Sequence, residues 1–292
     1  MERVSHQFSV IKGTIGSDFF RKKIINVCNA MASFMGFASI FISFDEYTGN
    51  SLPKKFFMIF FLLIVFGTCG VIYSSIYIMC KRVNKRKLKN GNFIIEYGDL
   101  HQLMFPTNMP AEKYTVVIPV NNRLNTVAEP WGSLGRSNHG YWLNTMIKNN
   151  MDSQELQELC NRKLEEQNIY CSDINYEYPI GTCILLTDSE IGQPNVNILL
   201  AATDCINQEN QSDGNEERFI LGLQGIIKTQ INMLYKCHMY LPIISNGFAG
   251  RKMYKKNEEL INMMYQMFKF NEGGIASDIH VVVKIKENVS IF

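Results

Sequence analysis

Two long stretches near the amino terminus contain no charged residue, and they constrain the fold of this chain more than any other feature. The first covers residues 24–44, between basic residues 21–23 and acidic residues 45–46, and the second covers residues 56–80. A helix of about 20 apolar residues crosses the ~30 Å hydrocarbon core of a bilayer. We therefore predict a hairpin of two transmembrane helices over residues 24–80.

The charges that flank the two runs predict their orientation. Five Lys and Arg residues lie within residues 1–23 and six follow the second run, whereas the loop at residues 45–55 has two lysines and two acidic residues. Because Lys and Arg are enriched in cytoplasmic segments, both termini are predicted to be cytoplasmic in a multi-pass protein of the cell membrane. Asn26 and Asn29 leave a buried or interfacial helix as the alternative for the first run.

Small residues recur at steps of three and four along both runs: Ala32, Gly36, Ser39 and Ser43 in the first, and Gly67, Gly70 and Ser74 in the second. Small side chains let helices approach closely in lipid. These faces indicate either packing of the two helices on each other or association between subunits into a homo-oligomer.

After a basic linker at residues 81–90, the composition changes to short β-branched runs, amphipathic segments and turns, which predicts a folded domain over residues 91–292. The predicted strands are 93–97, 116–120, 183–187, 196–203, 241–244 and 279–285, and the predicted helices lie near 152–164, 216–236 and 257–270. The strands 183–187 and 196–203 are predicted to form a hairpin or a pair of neighbouring strands. This order predicts an α/β domain with a mixed sheet between helices.

Charge and cysteine content exclude several functions. Lys and Arg number 29 against 27 Asp and Glu, so the net charge of +2 argues against binding nucleic acid through bulk positive charge. The eight cysteines and five histidines form no C-x-x-C motif and no pair with the spacing of a zinc finger, so no metal site is predicted. Reduced, mostly buried thiols are typical of a cytosolic domain.

The feature of the chain that most strongly indicates ligand binding is a glycine-containing loop between a predicted strand and a predicted helix. Its sequence is Ser245-Asn246-Gly247-Phe248-Ala249-Gly250. Backbone N–H groups of such a loop, together with the positive end of the next helix, can hold a diphosphate. A plain turn is the alternative. Neither a P-loop motif nor a complete G-x-G-x-x-G is present, which argues against a P-loop NTPase or a Rossmann dinucleotide domain.

The order of several short motifs resembles that of macro domains, which bind ADP-ribose. The resemblance covers roughly residues 93–285 and rests on Gly98-Asp99-Leu100, Val117-Ile118-Pro119-Val120-Asn121-Asn122, the polar stretch 132–140 and Ile244-Ser245-Asn246-Gly247-Phe248-Ala249-Gly250. It implies that Asp99 holds the adenine, that Asn121 or Asn122 lies near the distal ribose, and that residues 245–250 cradle the diphosphate. His139 either meets the ligand or caps a helix locally.

One departure from the macro-domain pattern bears on activity. Hydrolytic macro domains usually have a glycine triplet soon after the asparagine loop, whereas residues 132–140 of this chain read Gly-Ser-Leu-Gly-Arg-Ser-Asn-His-Gly. Binding without hydrolysis is therefore predicted, with no catalytic residue and no cofactor beyond an ADP-ribose-type NAD derivative as ligand.

Two membrane spans followed by a divergent macro domain resemble the membrane effectors of type II Thoeris antiphage defence. That resemblance implies a TIR-domain partner that makes an ADP-ribose-derived signal from NAD, and an effector that binds the signal, assembles and disrupts the membrane in abortive infection. The partner would act only through the ligand. Two alternatives remain: a membrane-tethered ADP-ribosyl hydrolase, and a passive ADP-ribose-binding scaffold anchored by the hairpin.

Overall fold

The structure is a computed structural model in which the chain forms two units. The first unit comprises Met1–Arg82 and Ile285–Phe292, and the second comprises Val83–Lys284. The structure describes residues 24–27, 29–30, 33, 53, 60–61, 64–73, 83–124, 137–149, 151–170, 176–205, 215–233, 236–244 and 256–284.

In the first unit, every residue that the structure describes is helical, and the longest described stretch is 64–73. Among the described residues, none of the helices has both the length and the apolar character needed to cross a bilayer. Most of the predicted run 24–44, and most of 56–80, lies outside the described residues. The transmembrane hairpin therefore stays a prediction.

The second unit is built on a seven-stranded sheet with the order β1-β2-β7-β6-β3-β5-β4. Its five inner strands are parallel, and the two edge strands, β1 and β4, are antiparallel to their neighbours. Buried parallel strands require apolar side chains on both faces, which β3 and β5 supply. The strands are β1 Val83–Lys87, β2 Asn92–Tyr97, β3 Tyr114–Asn121, β4 Cys183–Leu186, β5 Val196–Asp204, β6 His238–Pro242 and β7 Ile279–Val283.

Helices cover both faces of this sheet. On one face, a continuous core joins the helices α1 to α4 to alternate residues of β3, β4 and β5. On the other face, α5 packs on β5 and contacts α6. The helices are α1 Leu100–Met104, α2 Asn138–Lys148, α3 Ser153–Glu165, α4 Asp188–Ile191, α5 Glu216–Asn232 and α6 Asn257–Phe270. The predicted α/β domain with a mixed sheet between helices is confirmed.

Several helices begin at a side chain that accepts a backbone N–H of the first turn, which satisfies a donor that has no partner inside the helix. Asp152 caps α3 by accepting from the backbone N–H of Gln154 at 3.1 Å. Ser137 caps α2 in the same way through Gly140, at 2.9 Å.

The segment 81–90, predicted as a basic linker, instead contains the edge strand β1. The basic composition of this segment did not predict a strand, because an edge strand pairs through its backbone and tolerates charged side chains. Arg86 is only partly exposed, since its Nη1 donates to the Oδ1 of Asn262 at 2.7 Å and its guanidinium lies over the ring of Tyr265. Burial lowers the pKa of Arg86 from its ordinary value.

Candidate nucleotide-binding edge

The sheet opens between two adjacent parallel strands, β3 and β6, at their carboxyl ends. Strand β3 pairs with β5 along its whole length, but with β6 only over its first three residues. Backbone N–H groups of Tyr114 and Asn122 both donate toward β5. By the alternation of a strand, the backbone nitrogen of Pro119, which carries no hydrogen to donate, is on the side of β6, beyond the last residue of β3 that pairs with β6.

This crevice lies at the topological switch point of the sheet. The chain leaves β3 toward β5 on one side and leaves β6 toward β7 on the other. In open α/β sheets, ligands bind outside the carboxyl ends of the strands at such a point. Residues 245–250, predicted to hold the diphosphate, come just after β6 along the chain but lie outside the described residues.

Asn121 and Asn122 end β3 on the other side of the crevice. The Oδ1 of Asn121 accepts from the backbone N–H of Arg123 at 3.0 Å and so closes the turn. At this point β5 has one extra residue, because Val120 pairs with Ala202 and Asn121 with Asp204. Such bulges redirect side chains at the edges of sheets and next to active sites.

Asn122 is almost fully buried, with 4% of its surface exposed. Its backbone N–H donates to the carbonyl of Asp204, and its carbonyl accepts from the N–H of Tyr178, both at 2.8 Å. Its Nδ2 donates to Glu177 at 3.4 Å, and Arg123 contacts the other oxygen of that carboxylate at 3.4 Å. The Oδ1 of Asn122 has no hydrogen-bond partner in the described part of the chain.

Asp99 follows β2 at the same edge and caps α1. Its Oδ1 accepts from the backbone N–H of His101 at 3.1 Å, and its side chain is 46% exposed. Because its two contacts with His101 both use Oδ1, Oδ2 is free of these contacts and can accept from a ligand. The His101 ring stacks on Tyr141 of α2, with ring centroids 3.8 Å apart.

His139 lies in the first turn of α2, where Ser137 rather than His139 provides the cap. Its ring lies nearly parallel to that of the fully buried Trp142, with centroids 6.3 Å apart. Burial lowers the pKa of His139 to about 4. The ring is therefore neutral at pH 7 and can contribute a hydrogen bond but no charge.

Lys284 is a residue of this edge that the sequence analysis missed. The strand β7 was predicted to run to residue 285, but it ends at Val283, so Lys284 lies at the carboxyl edge. Its Nζ donates to the Oδ1 of Asn138 in the first turn of α2 at 3.4 Å. Burial and the charge of Lys284 lower the pKa of His101. A basic residue directly after a strand was the available signal.

A mixed sheet between two helix layers, open at the switch point of its carboxyl edge, places this domain in the macro-domain class of α/β folds. Residues 94–284 match the family model described as the macro domain of Thoeris protein ThsA. Because the match covers well over half of the chain, the chain belongs to this family, as the resemblance predicted. Membership implies Thoeris antiphage defence and an ADP-ribose-type ligand. No curated protein matches the chain.

Asp99→Asn is expected to weaken the binding of ADP-ribose about fivefold while leaving the melting temperature unchanged. Asparagine caps helices as well as aspartate, but a neutral acceptor makes a hydrogen bond weaker by about 1 kcal/mol. Calorimetry with ADP-ribose and ribose 5-phosphate measures the effect. Equal weakening for both ligands would show that Asp99 does not contact adenine, and Asp99→Ala serves as the variant that also loses the cap.

Lowering the pH from 7 to 5 is expected to cost up to about 2 kcal/mol of stability through His139. Its pKa in the folded protein, about 4, lies below the ~6.5 of an unfolded chain, so protons favour unfolding. The contribution is complete above pH ~6.5 and is lost as the pH falls toward 4. Urea unfolding of wild type and His139→Gln measures it, and an identical pH slope in both proteins would contradict it.

Proposed function

We propose that this protein is a ligand-gated membrane effector of antiphage defence. Its macro domain binds an ADP-ribose-derived signal that a TIR-domain partner makes from NAD, and the bound form assembles into homo-oligomers that disrupt the cell membrane, with both termini on the cytoplasmic side. The partner acts only through the small molecule. The outcome for an infected cell is abortive infection.

The crevice between β3 and β6 is the observation that carries the ligand-binding part of this proposal. It is flanked by Asn121 and Asn122, and the loop 245–250 follows β6 in the chain. Asp99 follows β2, three strands away from β3 in the sheet. At ~4.8 Å per strand, the two ends of the edge are about 14 Å apart, which suits an extended dinucleotide-like ligand rather than a single base.

The polar groups along the edge support one orientation of the ligand, with the adenine at Asp99 and the distal ribose at Asn121 and Asn122. The exposed carboxylate of Asp99 is an acceptor for the amino group of adenine, and Lys284, which follows the next strand, is a cation for the diphosphate. The neutral amides of Asn121 and Asn122 suit the hydroxyl groups of the distal ribose. Glu177 is paired with Asn122 and Arg123, which favours a positioning role over that of a general base.

The described part of the first unit is consistent with an apolar environment. Within the helical stretch 64–73, the side chains of Ile64, Val71, Ile72 and Tyr73 are about half exposed. A cluster of exposed apolar side chains marks a surface that binds lipid or protein. Gly67 and Gly70 lie in this stretch, on the small face expected to pack against another helix.

A dye-leakage experiment tests the proposal. Full-length protein in liposomes is treated with ADP-ribose, with NAD, or with the products of a TIR-domain enzyme acting on NAD. We expect leakage with the products, and none in a variant with Gly36→Leu and Gly70→Leu that still binds them. Binding without leakage in wild type would favour the anchored scaffold, and consumption of the ligand would favour the hydrolase.

A further inference from the structure

Two histidines and an aspartate come together at the amino ends of β6 and β7, the edge of the sheet opposite the crevice. His238 is the first residue of β6, Asp278 directly precedes β7, and His280 is its second residue. The pairing of Met239 with Ile279 brings these positions side by side. One ligand atom from each of the three side chains lies within 4.8 Å of the others.

We propose that His238, Asp278 and His280 bind a divalent transition-metal ion, with Zn²⁺ as the expected occupant. Two imidazoles and one carboxylate are a ligand set that suits Zn²⁺, with a fourth position left for water. The proposal is independent of the nucleotide-binding role, because these residues lie at the other end of the strands.

Each of these side chains is oriented by an outer partner, as metal ligands usually are. The Nδ1 of His280 is 2.9 Å from the Oε1 of Glu96. Because an ionised carboxylate only accepts, Nδ1 carries the proton and Nε2 keeps its lone pair for a metal. The Oδ1 of Asp278 accepts from both the backbone N–H and the Nδ2 of Asn92, at 2.8 and 3.0 Å, so Oδ2 is the oxygen available as a ligand.

His238 provides the strongest sign of a missing partner. Its Nδ1 is buried and has no hydrogen-bond partner in the described part of the chain. Its Nε2 lies 3.6 Å from the Oε2 of Glu112. Buried polar atoms in native proteins nearly always have a partner. A metal ion on Nδ1 would supply it, with Glu112 beside the outer nitrogen.

The surrounding charge is negative, which favours a cation. The ring of Tyr240 packs against that of His280 at a tilt of 30°, with centroids 4.3 Å apart. The carboxylates of Glu96 and Glu112 lie 2.9 and 3.6 Å from imidazole nitrogens of His280 and His238, and Asp278 belongs to the cluster itself. Three carboxylates thus act on one small region. A bound cation would offset their repulsion and connect β6 and β7, and through Glu96 also β2.

Zinc titration of the full-length protein, first stripped with EDTA, tests the proposal. We expect wild type to take up one equivalent of Zn²⁺ by calorimetry and elemental analysis and to melt at a higher temperature with the metal. His238→Gln and His280→Gln should lose this uptake. Glu96→Gln, which keeps both imidazoles, should bind Zn²⁺ about 10- to 100-fold more weakly.

His101→Gln is the matched control, because it removes an imidazole from the opposite edge and should leave zinc uptake unchanged. Melting temperatures without metal establish that each variant is folded. If a histidine variant does not fold, Glu96→Gln decides the question. The proposal is wrong if wild type takes up no zinc, or if His238→Gln, His280→Gln and Glu96→Gln bind zinc as tightly as wild type.

Discussion

Replacing Gly225 with alanine is expected to lower the free energy of unfolding of the macro domain by about 3 kcal/mol. Helix α5 approaches the segment before β4 so closely that a Cβ on Gly225 would overlap the carbonyl group of Gly181. Gly181 itself has φ +91°, and a Cβ there would lie 2.6 Å from the carbonyl oxygen of Leu221. Because the atoms that each Cβ would overlap belong to the backbone, no side-chain rotation can relieve the overlap.

The same contact supports the candidate nucleotide-binding edge. The backbone N–H of Gly181 donates to the carbonyl of Ala202, and that of Tyr178 donates to the carbonyl of Asn122, both at 2.8 Å. Gly225→Ala should therefore also weaken ligand binding in the fraction that stays folded. Urea unfolding measures the first effect. Gly273→Ala is the control, since a Cβ there meets no atom within 4 Å, and equal stability of the two variants would contradict the prediction.

Lys284→Glu is expected to weaken the binding of ADP-ribose about 100-fold, or about 2.7 kcal/mol. The change replaces attraction to the diphosphate by repulsion at a partly buried position, where one ion pair at 4 Å amounts to several kcal/mol before desolvation costs. Binding of adenosine, which has no phosphate, should change little. Calorimetry with both ligands measures the difference.

Lys228→Glu is the matched control for Lys284→Glu, because it changes the net charge equally on the exposed face of α5. It should leave ADP-ribose affinity nearly unchanged at 0.15 M salt, where exposed charges beyond ~8 Å are screened. If the two reversals weaken binding equally, the effect is one of overall charge, and Lys284 does not contact the diphosphate.

The elements of the macro domain were predictable where one periodic signal dominated. Helix α6 matches its prediction at residues 257–270, and β2 and β7 begin within one residue of theirs. The pairing of β4 with β5 was predicted from two apolar runs and one turn. These elements bury one face or both, so their side chains alone specify them.

Other features depend on neighbours that are distant in sequence. The edge strand β1 is basic and pairs through its backbone, so its composition resembled a linker. Lys284 was hidden by a boundary error of two residues in β7. The crevice requires the strand order, which places β3 beside β6 although more than 100 residues separate them. The cluster of His238, Asp278 and His280 also requires the strand order, which places β6 beside β7, because His238 precedes the Asp278-x-His280 pair by 40 residues.

Both places where the chain leaves the macro domain lie at its carboxyl edge. Val83 pairs with Glu96, near the end of β2, and Lys284 directly follows the adjacent strand β7. The two exits are therefore about two strand spacings, or ~10 Å, apart. A ligand at the binding edge proposed above would therefore lie on the same side of the domain as Val83 and Lys284, and its effect on these two ends would require no relay through the interior of the domain.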